Sequence, residues 1–454
     1  MTGYLPNTPS KSSRSIVWRS MRRNALIRTG LLLLLLPIGR SAFGQALPTA
    51  EAAPISTGFE LPRAAGTLSY AVSANETLSS GYYGNTGLDS STGLSGSLAY
   101  ISPSKVYPFS MVFSGGRSWT TSGQPSTLYL NLGLSQVINT RTWSFVLSDS
   151  INYLPQTPST GLSGIPGTGD LGVPPVQVGE DTGQGVLTGY ATRVSNTASA
   201  SAQHQLTGKT SLQVSGSYTI LRFVGDPGND GLNDDGATGD IGLNHRIDAR
   251  NSVNVNYAYT EFTYGPGQAG FASQTASLGY THQFSRRLKM DVSAGPQWVA
   301  STDTTPGIPA TPASINLYAN AALAYTNQFA NFSLGYSRST NSGFGVIEGA
   351  RSDSAHFSAS RTFARIWNGA VTSSYTHTTS LTPAAGAFFT PQTLVEAVQI
   401  SRAVGRSLSA YASYTLENQS TPASTAAVDV FSGHFQVVGF GLTYSPTSIH
   451  FGPR

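Results

Sequence analysis

The sequence predicts an all-β chain: a transmembrane antiparallel β-barrel of about eighteen strands. Three observations carry that expectation. Many segments alternate apolar and polar side chains with period two, the mark of strands with two different faces. Charged residues are 11% of the 454, about half the usual share for a soluble domain. Tight turns also alternate with long connections rich in Gly, Pro, Ser and Thr, as they do in membrane barrels.

Residues 1–44 read as an export signal. Arg22, Arg23 and Arg28 form its basic region, Leu31 to Leu36 its apolar stretch, and Ala42-Phe43-Gly44 a small-x-small cleavage site. The apolar run is too short to span a bilayer as a helix. Met21 would begin a signal of ordinary length, so the true start is expected there. The signal also carries the chain's basic character. It holds Lys11, Arg14, Arg19, Arg22, Arg23, Arg28 and Arg40 and no acid; without these seven the 26 basic residues fall to 19, against 22 acidic ones. A mildly acidic mature chain argues against nucleic-acid binding. With no Cys, disulfides, Cys metal sites and thiol nucleophiles are excluded.

After the signal, residues 45–65 are expected as a periplasmic N-terminal segment, 66–444 as the barrel and 445–454 as a C-terminal tail. Strands are expected near 66–76, 92–102, 106–119, 126–138, 142–154, 186–206, 209–223, 239–247 and 251–264. The rest are expected near 270–284, 287–300, 313–327, 329–341, 351–363, 366–379, 392–403, 406–417 and 432–444. The alternation is plain in Val253, Val255, Tyr257 and Tyr259 against Asn254, Asn256, Ala258 and Thr260. The count falls to sixteen if the first strand or 392–403 is not in the wall. Asp149 and Glu396 fall on the apolar parity of their strands, and a bulge that flips the face is expected at each.

Tight turns such as Thr207-Gly208-Lys209, Asp248 to Asn251, Ser285-Arg286 and Val404-Gly405-Arg406 are expected at the periplasmic end, with both termini. The long connections 155–185, 225–238, 300–312 and 418–430 face outward from the cell. His204-Gln205-Leu206, His245-Arg246-Ile247 and His282-Gln283-Phe284 each precede a tight turn and read as a weak hairpin repeat. Trp119 and Trp298 are expected at the outer rim, Trp143 and Trp367 at the periplasmic rim, where an indole finds both lipid and water. Basic turns (Lys105, Arg141, Lys209, Arg250, Arg286, Arg287, Arg406) suit anionic headgroups or plain solvation.

Other constellations weigh less. Gly167, Gly169 and Gly172 match a dinucleotide fingerprint in spacing alone, without the strand before and helix after. Asp226, Asn229, Asp230 and Asp234 offer oxygen ligands on a Gly-rich loop, where Ca²⁺ is one reading and a solvated acidic loop the other. The three His lie on alternate strands, about 10 Å apart, too far to share a zinc ion; a rim role is expected. No nucleophile elbow or zinc-protease motif occurs, and no enzyme, other cofactor or firm metal site is expected.

Over roughly residues 66–444 the chain resembles Gram-negative porin-like outer-membrane barrels. Gly439, Leu442 and Tyr444 resemble the final-strand signal read by the barrel-assembly machinery, which the resemblance implies as a partner alongside outer-membrane lipids. The loop 155–185 is third among the outer loops, and in general diffusion porins the third loop narrows the pore with acidic groups facing basic ones. The resemblance therefore implies Asp170, Glu180 and Asp181 opposite Arg193 and Lys289 as the constriction, and admits a homotrimer. The function expected is a channel for passive diffusion of small hydrophilic solutes. The alternative is a non-channel surface barrel acting in exopolysaccharide secretion or adhesion; a soluble β-rich protein is a third reading.

Overall fold

The computed structural model describes residues 66–81, 87–102, 104, 106–121, 126–155, 192–224, 233–265, 270–302, 313–343, 345–364, 366–382, 388–421 and 430–451. The export signal, the 155–185 loop beyond Pro155 and most of the acidic 225–238 loop fall outside them.

Strand follows strand in chain order: β1 (Gly66–Ser80), β2 (Asp89–Ser102), β3 (Phe109–Thr120), β4 (Thr127–Asn139), β5 (Trp143–Pro155) and β6 (Thr192–Gln205). Next come β7 (Thr210–Val224), β8 (Asp234–Arg246), β9 (Asn251–Tyr264), β10 (Phe271–Gln283), β11 (Leu288–Ser301) and β12 (Ser314–Asn327). The last are β13 (Ala330–Asn341), β14 (Ala350–Phe363), β15 (Trp367–Ser380), β16 (Gln392–Ala403), β17 (Leu408–Ser420), β18 (Gly433–Tyr444) and the short β19 (Ile449–Phe451). Each strand from β1 to β18 pairs antiparallel with its chain neighbours, and β1 pairs with β18, so the sheet closes as an eighteen-strand barrel. Closure leaves no open edge, as a chain in hydrocarbon requires. The first and 392–403 strands are both in the wall, which excludes sixteen.

The registers set the size of the barrel. Traced from pair to pair, a path at right angles to the strands returns to β1 displaced by about 22 residues. With about 3.3 Å per residue and about 4.8 Å between strands, that stagger implies a tilt of about 40° and a wall radius of about 18 Å.

Two faces alternate along every strand, as period-two patterning demands. Val72, Leu94, Phe113, Leu130, Leu147, Val214, Ile241, Val255, Leu278, Leu317, Leu334, Val398, Phe440 and Leu442 are exposed on the outer face. Ser73, Ser95, Ser114, Ser150, Thr197, Ser273, Thr376 and Thr443 are buried on the inner face. Trp119, Trp143, Trp298 and Trp367 stand on the outer parity: Trp143 and Trp367 begin strands at the short-turn end, while Trp119 and Trp298 lie near strand ends at the long-loop end.

Three expectations change. No bulge lies at Asp149 or Glu396: their ladders run without a skipped residue, so both carboxylates stand on the outer face. Asp149 is accommodated instead by Asn196 on β6, whose amide donates to its Oδ1 at 2.7 Å. The strand expected from 239 begins at Asp234, because Asp235 makes an ion pair with Arg222 across the ladder at 2.7 Å rather than staying in a loop. Part of the expected tail also joins the wall, since β19 (Ile449–Phe451) pairs with Gly66–Leu68 of β1. Its register is offset by one residue from that of β18, so four residues, 445–448, oppose three on β1.

Candidate functional site: the long-loop mouth and the inner wall

The inner wall is built from small polar side chains. Hydroxyls meet across strands at Ser73–Thr443 (2.8 Å), Ser148–Ser199 (2.8 Å), Thr197–Thr219 (3.1 Å), Thr238–Thr260 (3.2 Å), Ser333–Ser358 (2.8 Å) and Ser354–Thr376 (3.1 Å). Such cross-strand hydroxyl pairs satisfy one another and keep the side chains close to the wall. Charges on this face are few and mostly engaged. Lys289 pairs with Asp291 at 3.1 Å, and Thr281 donates to the same carboxylate. Ser215 donates to Asp240.

The mouth at the long-loop end is narrowed by the tip of the β13–β14 hairpin. The ladder between β12 and β13 stops at Ala319↔Arg338, whereas β13 stays paired with β14 as far as Asn341↔Ala350. Above that point the tip folds inward. Thr340 donates to Oε1 of Gln297 on the inner face of β11 at 2.8 Å, and Gln297 is anchored by its own bond to Thr275 at 3.1 Å. Tyr264 of β9, four strands away, donates its hydroxyl to the Ser342 carbonyl at 2.7 Å. Asp234 of β8 is bonded to the Ser342 side chain.

The far side of the tip reaches the remaining loops. Val346, Ile347 and Ala350 pack with Phe389, just before β16, and Val430, just before β18, in one buried apolar cluster. The Leu381 N–H donates to the Gly349 carbonyl at 3.1 Å. Below this cluster, Gln419 of β17 donates to the Phe431 carbonyl (2.7 Å) and accepts from Thr393 (2.7 Å). Glu417, 1% exposed, lies on the same inner face. The tip thus bridges the β8–β11 wall and the loops that leave β15 and β17, about half-way round the ring.

Glycine makes the fold-back possible. Gly343 and Gly349 have φ of 80° and 69°, a left-handed conformation that costs side-chain-bearing residues of order 1 kcal/mol or more. A Cβ at Gly349 would also lie 2.8 Å from Leu381 and 3.0 Å from Phe271.

The site residues expected from sequence are distributed differently. Asp170, Glu180 and Asp181 lie outside the described residues. Arg193 is buried on the inner face at the long-loop end of β6, the second residue of that strand. Lys289 is the second residue after a short turn, at the opposite end of the wall, so the structure does not bring it to Arg193. Asp226, Asn229 and Asp230 also lie outside the described residues. Asp234, 2% exposed, is turned inward to Ser342, while Asp235 points outward to Arg222. Among the described residues no three His, Asp or Glu are grouped to hold a metal. His204 stacks on Trp143 at 4.3 Å and His282 meets Phe284 edge-on at 4.4 Å, both at the short-turn rim. Gly439 faces inward against Ser413, and Leu442 and Tyr444 are exposed on the outer face. The residues that sequence reasoning missed are Tyr264, Gln297 and the tip 342–349. The available signal was an apolar run, Phe344, Val346 and Ile347, set among Gly343, Gly345 and Gly349 in a connection that otherwise reads as solvated.

No protein-family model matches the chain, and no curated protein matches it. Some solved structures resemble the chain. One is OccAB4 of Acinetobacter baumannii, at 11% identity over 85% of this chain and 98% of that one, with a TM-score of 0.42. Another is the outer membrane protein opdK from Pseudomonas aeruginosa, at 11% identity over 85% of this chain and 99% of that one, with a TM-score of 0.41. A third is OccAB3 of Acinetobacter baumannii, at 11% identity over 84% of this chain and 99% of that one, with a TM-score of 0.42.

Proposed function

We propose that the protein is a channel of the bacterial outer membrane for passive diffusion of small hydrophilic solutes. One observation carries the reading: a closed barrel of about 18 Å radius whose inner face bears Ser, Thr, Asn and Gln. Side chains of that size reach only about 5 Å from a wall and cannot fill such a lumen, whereas barrels of sixteen to eighteen strands leave an aqueous path. The apolar outer face supports a position in lipid, with the short turns in the periplasm and the long loops outside. Neutral hydroxyls and amides along the path favour uncharged polar solutes over strongly selected ions. Among the described residues nothing favours a role in polymer secretion or adhesion.

Purified full-length protein in planar bilayers is the test. Stepwise conductance, with liposome swelling in neutral sugars, is the expected result; bilayers that stay silent although the protein inserts would overturn the proposal.

A further inference from the structure

The short turns repeat one five-residue frame. Its members are Leu206 to Thr210, Ile247 to Asn251, Phe284 to Leu288 and Val404 to Leu408. In three of them the first residue donates its N–H to the carbonyl of the fifth: Leu206 to Thr210 (3.0 Å), Ile247 to Asn251 (2.9 Å) and Val404 to Leu408 (2.8 Å). In the fourth, Ser285 donates to Leu288 at 3.3 Å. The second residue caps the turn in three cases. Thr207 accepts from Lys209 N (3.2 Å) and Thr210 N (3.0 Å). Asp248 accepts from Arg250 N (2.6 Å) and Asn251 N (3.0 Å). Ser285 accepts from Arg287 N (3.2 Å) and Leu288 N (3.1 Å). These are local side-chain-to-backbone turns, cheap to form and rigid once made.

The frame fixes two side chains. Its first residue continues the outer parity of the preceding strand, so Leu206, Ile247, Phe284 and Val404 project from the outer face, 48–61% exposed. Its third or fourth residue is a cation: Lys209, Arg250, Arg286 and Arg287, or Arg406. Each apolar anchor at the lipid edge therefore has an ammonium or guanidinium one short step beyond it, toward water. Lys209 donates to the Ile247 carbonyl at 3.0 Å. Among the described residues none of these five cations pairs with a carboxylate. Asp248, the acid within the frames, is taken up by the N–H of Arg250 and by Asn251, which hold its carboxyl below the usual range.

We infer that the short-turn rim is a collar for anionic phospholipid, each frame seating acyl chain against its apolar residue and a phosphodiester against its cation. The chemistry is complementary at both ends of the lipid: exposed apolar side chains beside the bilayer, and cations where the phosphate lies. The frame recurs in four short turns, three of them on consecutive hairpins from β6 to β11, which makes it a set of sites rather than a single pocket. Zwitterionic lipid would present the same acyl chains but no net charge to the cations. The inference needs the barrel to lie in a membrane but does not need it to conduct.

The test uses full-length protein in mixed micelles holding equal amounts of phosphatidylglycerol and phosphatidylcholine, with the lipids retained after purification quantified by mass spectrometry. Wild-type protein is expected to enrich phosphatidylglycerol by about tenfold at low salt, on the scale of a few surface cations near anionic headgroups. The enrichment should fall close to parity in a protein carrying Lys209→Gln, Arg250→Gln, Arg286→Gln, Arg287→Gln and Arg406→Gln. A second protein with Arg117→Gln, at the other end of the wall, should keep it. Folding of each variant is checked by its heat-dependent gel mobility, and the substituted turn side chains are exposed, so a folded five-site variant is expected. Equal enrichment in wild type and variant, no enrichment in wild type, or co-sedimentation with purified cell-wall sacculi in its place would each overturn the collar. A failure here leaves conductance untouched, and silent bilayers would leave lipid enrichment untouched.

Discussion

The hydroxyl of Tyr264 on β9 donates to the backbone carbonyl of Ser342 at 2.7 Å, joining one side of the barrel to the tip of a hairpin rooted four strands away. With the Thr340–Gln297 bond at 2.8 Å, it holds the tip across the mouth from the β8–β11 side. Each bond contributes about 1 kcal/mol, an equilibrium factor of about five. Tyr264→Phe combined with Thr340→Val should therefore populate a displaced tip and raise mean single-channel conductance. Unchanged conductance in the double variant would show that the tip does not limit flow.

Gly349 tests the same tip by a different force. At φ 69° and with Leu381 and Phe271 against it, Gly349→Val should add about 1–3 kcal/mol of strain. The barrel wall needs none of this residue, so the variant should still migrate as a folded barrel. The expected change is confined to the mouth: new protease cleavage within 342–349 and larger conductance. Resistance to protease equal to wild type would contradict the geometry.

Asp149 stands on the outer face between Leu147 and Ile151, both exposed there. A carboxylate facing hydrocarbon costs less than the roughly 2–4 kcal/mol of Arg or Lys at mid-bilayer, and Asn196 offsets part of that cost. Asp149→Leu should raise the urea midpoint of folding into vesicles, while Asn196→Leu should lower it by removing the amide that donates to the carboxylate. If both substitutions moved the midpoint the same way, the Asn196 amide would not be what accommodates the charge.

The closing seam gives a fourth expectation. Deleting residues 448–454 removes β19, so Gly66–Leu68 loses that partner while Val72–Ser80 keeps β18. Amide exchange should accelerate within 66–68 alone, with the barrel still formed. Uniform protection along β1 after the deletion would mean that β19 adds nothing to the seam.

The wall was legible because a strand between lipid and a polar lumen must alternate, and residues such as Val253 to Thr260 do so without interruption. Reading failed where one residue serves two constraints. Asp234, Asp235 and Gly236 look like loop, yet their ladders to β7 and β9, with the pairing of Asp235 and Arg222, draw them into β8. At Asp149 and Glu396 a face reversal was the simpler expectation, yet an unbroken ladder kept both outward, since shifting a register would turn every following side chain to the wrong face. The tip 342–349 was missed for a different reason. Its partners, Tyr264, Gln297, Phe389 and Val430, are scattered along the chain, and local pattern carries no record of such distant neighbours.

That scatter constrains the order in which the molecule can be made. The tip's supports come from β8–β11, synthesised earlier, and from Phe389 and Val430, synthesised later, with Val430 only three residues before the strand that closes the ring. The apolar cluster beneath the tip is therefore incomplete until Val430 takes its place beside Val346 and Phe389. Completing the mouth is thereby tied to closing the ring.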